Sequence, residues 1–229
     1  SRTLASSSAV TAYKWNDFGK LIGFALNGVF QESDFYDADG IRRIRNDGTK
    51  FYNSGSLVVS ETRPTGAVSF IQGHQLLGLR QGANNFYMIS DGLGSVRQVV
   101  TNAGVSSATF EPDAYGNAQV ASTGSADLLA NTYTGALGVR NETVSGGRQL
   151  YLARARWYDS SLGRWLSPDP IGFQGGLNYY GFVNANPINA VDPSGLEAIF
   201  KGSNRGSVWG LPYFVPTDWK KVQDVASMM

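Results

Sequence analysis

The chain has no cysteine. Disulfides and Cys-based zinc sites are excluded, and redox chemistry says nothing about its compartment. Histidine is nearly as scarce, with His74 the only one in 229 residues. A multi-His metal site is impossible, and a Ser-His-Asp triad would have to use that residue. A lone His in a weakly patterned stretch is expected to be structural. Charge is also thin. Asp, Glu, Lys and Arg make up 16% of the sequence, against about 25% in ordinary globular proteins. The formal net charge is +1, so neither nucleic acid nor an anionic membrane has an electrostatic reason to bind. No apolar run approaches the roughly 18 residues of a membrane span. Gly92-Leu-Gly94 lacks the rest of a dinucleotide fingerprint, so no cofactor is expected. The first residues, Ser1-Arg-Thr-Leu, include neither an initiator Met nor a signal peptide, and the chain reads as a piece of something longer.

What the chain does have is glycine, 28 residues of it, and aromatics, 12% of the total. Many glycines, many aromatics and few charges suit short strands joined by tight turns. A loose repeat runs through the first half. Its units pair an aromatic with Asp or Asn and then Gly: Tyr13-Lys-Trp15-Asn-Asp17-Phe-Gly19, Phe35-Tyr36-Asp37-Ala-Asp39-Gly40, Tyr87-Met-Ile-Ser-Asp91-Gly92-Leu-Gly94-Ser95-Val-Arg97, and Phe110-Glu-Pro-Asp113-Ala-Tyr115-Gly116. The physics is that of a hairpin array. The aromatic fills a strand face, Asp or Asn caps the turn, and Gly takes positive φ. Turns are expected at Asp39-Gly40 and Asp91-Gly92, with almost no helix before residue 120. Residues 57–61 and 96–100 read as strands by alternation. Ala126 to Ala130 is expected to form a helical turn, Asn141 to Gly147 a loop, and the segment from Thr217 a short helix with Thr217 as N-cap.

The second half carries the sharper signal. It runs Arg154-Ala-Arg156-Trp-Tyr-Asp159, then Gly163-Arg164-Trp-Leu-Ser167-Pro-Asp169-Pro170-Ile-Gly172, Gly175-Gly-Leu-Asn178-Tyr, Asn186-Pro187 and Asp192-Pro193-Ser-Gly195-Leu196. Two Asp-Pro-x-Gly motifs stand in one segment. Such a motif is by itself a common turn in which Asp caps backbone N–H groups. Two carboxylates brought together are another matter, because one can act as base and the other as acid against a peptide bond. Arg156 presents planar donors suited to a carboxylate or a carbonyl. An ordinary ion pair with Asp159 or a neighbouring carboxylate is the plain alternative. Arg154 and Arg164 read as structural, and Asn178 and Asn186 as satisfying buried turn backbone.

These motifs resemble the RHS-repeat-associated core of RHS/YD-repeat proteins, and the aromatic–Asp–Gly units resemble the YD repeat. The resemblance runs from about Tyr13 to Leu196, loosely in the first half and closely in the second. It implies an all-β fold, with antiparallel hairpins forming part of a curled β-shell that ends in an inward-folded core plug. It implies three parts: a shell segment (1–120), the core with its autoproteolytic motif (121–196) and a variable C-terminal tail (197–229). It also implies that Asp169 and Asp192 are catalytic, that Arg156 is linked to cleavage, and that the cut falls between Leu196 and Glu197. The function that follows is a shell that encloses its own C-terminal toxin polypeptide and frees it by a single-turnover aspartic cut. Such a protein is secreted or on the cell surface, with a secretion apparatus or toxin-complex partner closing the shell. The alternative is a non-catalytic YD-repeat scaffold for adhesion or carbohydrate binding.

Overall fold

One kind of turn recurs along the chain and sets its architecture. In a computed structural model, which describes residues 10–17, 19–26, 29–30, 34–45, 47–120, 130–142 and 149–200, the Asp37 N–H donates to the Ile41 carbonyl and the Gly40 N–H to the Asp37 carbonyl. The Asp37 carboxylate takes the N–H groups of Asp39 and Ile41. Asp91 repeats the arrangement with Leu93 and Ser95, and Asp113 with Tyr115 and Asn117. Asn16 builds the same turn with Gly19 and Lys20. The fourth residue sits in the left-handed region, at φ 71° for Gly40 and 79° for Gly94, where a Cβ is penalised. The rule is therefore Asp/Asn-x-x-Gly. At the first turn the capping carboxylate is Asp37, not Asp39. At the second it is Gly94, not Gly92, that takes positive φ.

These turns join strands by simple succession. β1 (Val10–Trp15), β2 (Leu21–Leu26) and β3 (Val29–Phe30) make a three-stranded sheet. A ten-stranded meander follows: β4 (Phe35–Tyr36), β5 (Arg42–Ile44), β6 (Lys50–Ser54), β7 (Leu57–Arg63), β8 (Gly66–Gln72), β9 (Leu76–Gln81), β10 (Asn84–Ser90), β11 (Val96–Thr101), β12 (Ser106–Pro112) and β13 (Ala118–Val120). Then come a four-stranded sheet, β14 (Arg140–Asn141), β15 (Leu150–Ala153), β16 (Arg156–Asp159) and β17 (Arg164–Trp165), and a final pair, β18 (Ala190–Val191) and β19 (Ile199–Phe200). Every pairing is antiparallel. The fold is all-β. Among the described residues no α-helix occurs, only short 3-10 turns such as Gly172–Gly175, and no helix is long and apolar enough to cross a membrane. Of the helical turn expected over 126–130 only residue 130 is described, in a 3-10 state; of the loop expected over 141–147 only 141 and 142 are, Asn141 ending β14; the helix from Thr217 lies outside the described residues.

Alternation along β15 and β16 explains where the core sits. Tyr151, Ala153 and Tyr158 face an aromatic cluster with Tyr133, Trp165 and Phe182, while Leu150 and Trp157 face Leu21 and Phe24 of β2. Both faces of this small sheet are thus covered, and Arg156, two residues before Tyr158, shares the aromatic face.

The ten-stranded sheet has its own apolar face, built from Val68, Phe70, Leu79, Val96, Val99 and Phe110. Buried charge ties that face to the segment 136–142. Arg140 pairs with Glu61 at 2.9 Å, and Glu142 accepts from Arg42 and, at 3.0 Å, from Arg45. Arg42 also pairs with Asp34 at 3.1 Å, and the Arg42 and Arg140 guanidinium groups both lie over the Phe51 ring. Burial alone would push Glu142 up, but Arg42, Arg140 and Arg45 outweigh it and hold the carboxyl down at about 2. Its stabilisation is therefore present above its unfolded value of about 4.3 and is lost as pH falls toward the folded value. Glu142→Gln leaves buried guanidinium charge short of a partner and should cost about 3–5 kcal/mol. Chemical denaturation at pH 7 reads this directly; a loss under about 1 kcal/mol would show that the network is not what couples the two parts.

Candidate functional site

Both Asp-Pro-x-Gly motifs are built as the recurring turn. The Gly172 N–H donates to the Asp169 carbonyl and the Ile171 N–H to Asp169 Oδ1. The Gly195 and Leu196 N–H groups donate to Asp192 Oδ1 at 2.8 and 3.1 Å. In each motif one carboxylate oxygen is spent on the turn. The other is left for the interior, since Pro at the next position holds the Asp out of helical geometry. Both free oxygens point at the same atom. Arg156 Nη2 lies 2.8 Å from Asp169 Oδ2 and 3.4 Å from Asp192 Oδ2. The three side chains are 5% exposed or less.

Arg156 is held firmly in this position. Its guanidinium stacks 4.3 Å above the Trp165 ring, Nε donates to the Gly195 carbonyl, and Nη1 donates to the Tyr179 carbonyl at 3.2 Å. The Asp192–Leu196 loop rests directly on the β15–β16 hairpin. The Ala155 N–H donates to the Ser194 carbonyl at 3.1 Å. A Cβ on Gly195 would meet the Ala153 carbonyl at 2.5 Å. The Gly175 backbone approaches Asp169 from the other side, where a Cβ would stand 2.5 Å from Oδ2. Two like charges with one guanidinium leave a net negative buried site, which favours a bound proton. Burial pushes Asp192 above the usual carboxylate range, against hydrogen bonds from Ser194, Leu196 and Gly195 and the charge of Arg156.

The structure brings together Arg156, Asp169, Asp192 and Leu196, all four named by their motifs. Glu197 follows, with its N–H 3.4 Å from Ser194 Oγ. Arg156 does not pair with Asp159, whose carboxylate caps Ser161 and Leu162. Its carbonyl contact is to Gly195, one residue before the expected scissile carbonyl. Arg154 donates to the Leu137 carbonyl and Arg164 lies over Tyr180, both away from the carboxylates' free oxygens. Asn178 caps the Tyr180 N–H on the exposed surface and Asn186 accepts from the Asn189 side-chain amide, so neither described bond satisfies buried turn backbone. His74 is exposed in the β8–β9 connection. Sequence reasoning missed Ser194 and the closeness of Gly175. Their signal was the x of Asp-Pro-x-Gly and the Gly-Gly pair.

Comparisons with known proteins agree with this architecture. The chain is 29% identical over 202 residues to the Probable deoxyribonuclease RhsB of Dickeya dadantii, covering 83% of this chain and 12% of that protein. It is 47% identical over 50 residues to the toxin subunit YenC2 of Yersinia entomophaga, 22% of this chain and 5% of the other. The TcdB2-TccC3-TEV crystal structure superposes with a TM-score of 0.63 at 24% identity, over 85% of this chain and 10% of that one. The chain is therefore similar to RHS and toxin-complex proteins. Its antiparallel hairpin meander is consistent with the curled β-shell of such proteins. No protein-family model matches the chain. The chain spans about an eighth or less of the RhsB and YenC2 proteins.

The packing around Gly195 makes a test of the site's rigidity. Gly55 and Gly195 share a left-handed backbone, at φ 58° and 71°, but nothing lies within 4 Å of a Cβ on Gly55. Gly55→Ala should cost about 1 kcal/mol from conformation alone. Gly195→Ala should cost clearly more, about 2–4 kcal/mol, because the loop must also move off the β15–β16 hairpin. Equal losses in urea denaturation would mean that the loop is not seated there.

Proposed function

We propose that this chain is the closing part of an RHS shell and that it cuts itself between Leu196 and Glu197 to free a C-terminal toxin polypeptide. The observation that carries the reading is the convergence of Asp169 Oδ2 and Asp192 Oδ2 on Arg156 Nη2. A buried carboxylate pair sharing a guanidinium separates its members into a base and an acid. Asp169, with the shorter ion pair, is the base that takes a proton from water. Asp192, pushed up by burial, keeps a proton to give. Arg156 fixes both carboxylates and, through Gly195, the chain entering the scissile bond. The bond lies four residues from Asp192, so attack is intramolecular and gains the entropic advantage of a tethered substrate.

The division that goes with this reading is a shell segment over 1–120, a core over 121–196 and a tail from 197. Its partners are the chain's own toxin polypeptide and a secretion apparatus or toxin-complex component that closes the shell, with delivery outside the producing cell. The relatives support this because a probable deoxyribonuclease and a toxin subunit resemble the chain in sequence.

Asp169→Asn and Asp192→Asn should each leave the thermal midpoint within a few degrees of wild type and slow cleavage by about 10²-fold or more. Mass spectrometry of the wild-type products should show one fragment ending at Leu196 and another beginning Glu197-Ala-Ile-Phe. Fragments beginning at Pro170 or Pro193 would mean acid-labile Asp-Pro hydrolysis, and unchanged processing in both variants would end the reading. The rate should fall as pH rises through the raised Asp192 value, because the proton it donates is lost there. The same ionisation costs stability: the Asp192 contribution is full below its unfolded value of about 3.9 and is lost as pH rises through the folded one. A rate that increases steadily from pH 4 to pH 9 would contradict the assignment of the acid.

A further inference from the structure

Asp192 does not reach the nitrogen that must leave. Among the described hydrogen bonds its Oδ1 accepts from Ser194 Oγ, Gly195 N and Leu196 N, and its Oδ2 faces Arg156. The Glu197 nitrogen makes its contact with Ser194 Oγ, at 3.4 Å. Ser194 Oγ in turn donates to Asp192 Oδ1 at 2.8 Å. One hydroxyl therefore stands between the proposed acid and the leaving group.

We propose that Ser194 is a catalytic residue of the cleavage, its hydroxyl passing a proton from Asp192 to the departing Glu197 nitrogen. This rests on the autoproteolytic reading above. An amide nitrogen is a poor leaving group until it is protonated, so an acid that stops one atom short needs a relay. The Ser194 backbone is fixed by the Ala155 N–H, and its hydroxyl is shared with the Leu196 N–H at 3.1 Å, so the oxygen is held in place before reaction.

The step balances as follows. Water forms a bond from its oxygen to the Leu196 carbonyl carbon, gives one proton to Asp169, and the carbonyl π pair moves to oxygen. The Glu197 nitrogen, no longer conjugated, gains a lone pair. Ser194 Oγ–H turns from Asp192 onto that lone pair and delivers its proton. Asp192 replaces the proton on Oγ. The oxyanion re-forms the carbonyl, the C–N bond breaks, and its electron pair stays on nitrogen. The products are a carboxylic acid at Leu196 and a free amine at Glu197. Asp169 has gained a proton and Asp192 has lost one. The charged groups facing Asp192 during this exchange are Arg156, Asp169 and, at longer range, Arg154.

The test is single-turnover cleavage of the full chain in Ser194→Ala and Ser194→Thr, with Asp169→Asn alongside. Ser194→Ala should cut about 10²-fold more slowly or worse, and Ser194→Thr, which keeps the hydroxyl, should recover to within about tenfold of wild type. Wild-type speed in Ser194→Ala with Asp169→Asn inert would overturn the relay and leave the aspartic reading standing. Wild-type speed in Asp169→Asn would overturn both. If Ser194→Ala does not fold, Ser194→Gly decides: cleavage about 10²-fold slower supports the relay, and wild-type speed overturns it.

Discussion

A guanidinium buried between two carboxylates is costly to assemble, and the arrangement around Arg156 depends on the groups that offset the cost. Each carboxylate has one oxygen fixed by its own turn, so only the second meets the arginine. The guanidinium is stacked on Trp165 and tied through Nε and Nη1 to the Gly195 and Tyr179 carbonyls, so only Nη2 depends on the carboxylates. Removing Arg156 would leave two carboxylates without their cation in a site that water scarcely reaches, whereas removing either carboxylate still leaves one ion pair. The Gly195 loop, the β15–β16 hairpin and the aromatic cluster are in this sense one construction. The hairpin supplies Arg156, the loop supplies Asp192, and the aromatic face supplies the floor.

The same turn serves two ends. In the shell, Asp37, Asp91 and Asp113 cap hairpins and nothing more is asked of them beyond surface pairing. In the core, Pro and a buried setting convert that cap into a carboxylate with one oxygen to spare. The chain beyond the proposed cut is held as well. Ile199–Phe200 pairs with Ala190–Val191, and Ala198 and Phe200 pack on the aromatic cluster. The Leu196–Glu197 bond thus lies between two anchored stretches, Gly195 under Arg156 on one side and β19 on the other. A peptide bond fixed at both ends has little freedom left to lose on the way to the transition state.

Local chemistry was legible in the sequence. Aromatic–Asp–Gly units read as hairpins and are hairpins, because cap, turn glycine and strand face are all within a few residues. The expected turns at Asp39-Gly40 and Asp91-Gly92 form, but the choice of Asp37 over Asp39 as cap and of Gly94 over Gly92 as the positive-φ glycine lies between residues two apart, and only the hydrogen-bond register separates them. The convergence of Arg156, Asp169 and Asp192 came from motif resemblance, since spacing alone allows an Asp159 pair equally well. The Glu61–Arg140 and Arg42–Glu142 pairs had no signature. Their partners lie far apart in the chain, and an isolated Glu on a strand reads as a solvated face until the strand opposite is known. Ser194 was hidden for a different reason, being a small residue at a position where the turn accepts almost anything.

The account stands or falls on water, directed by the carboxylate pair, breaking one particular bond. Cleavage in oxygen-18 water followed by fragment mass analysis tests this most directly. The account predicts one heavy oxygen in the new carboxyl group of Leu196 and none in the fragment that begins at Glu197. Label in a carboxyl group at Asp169 or Asp192, or a folded chain that stays intact at every pH at which it remains folded, would contradict it.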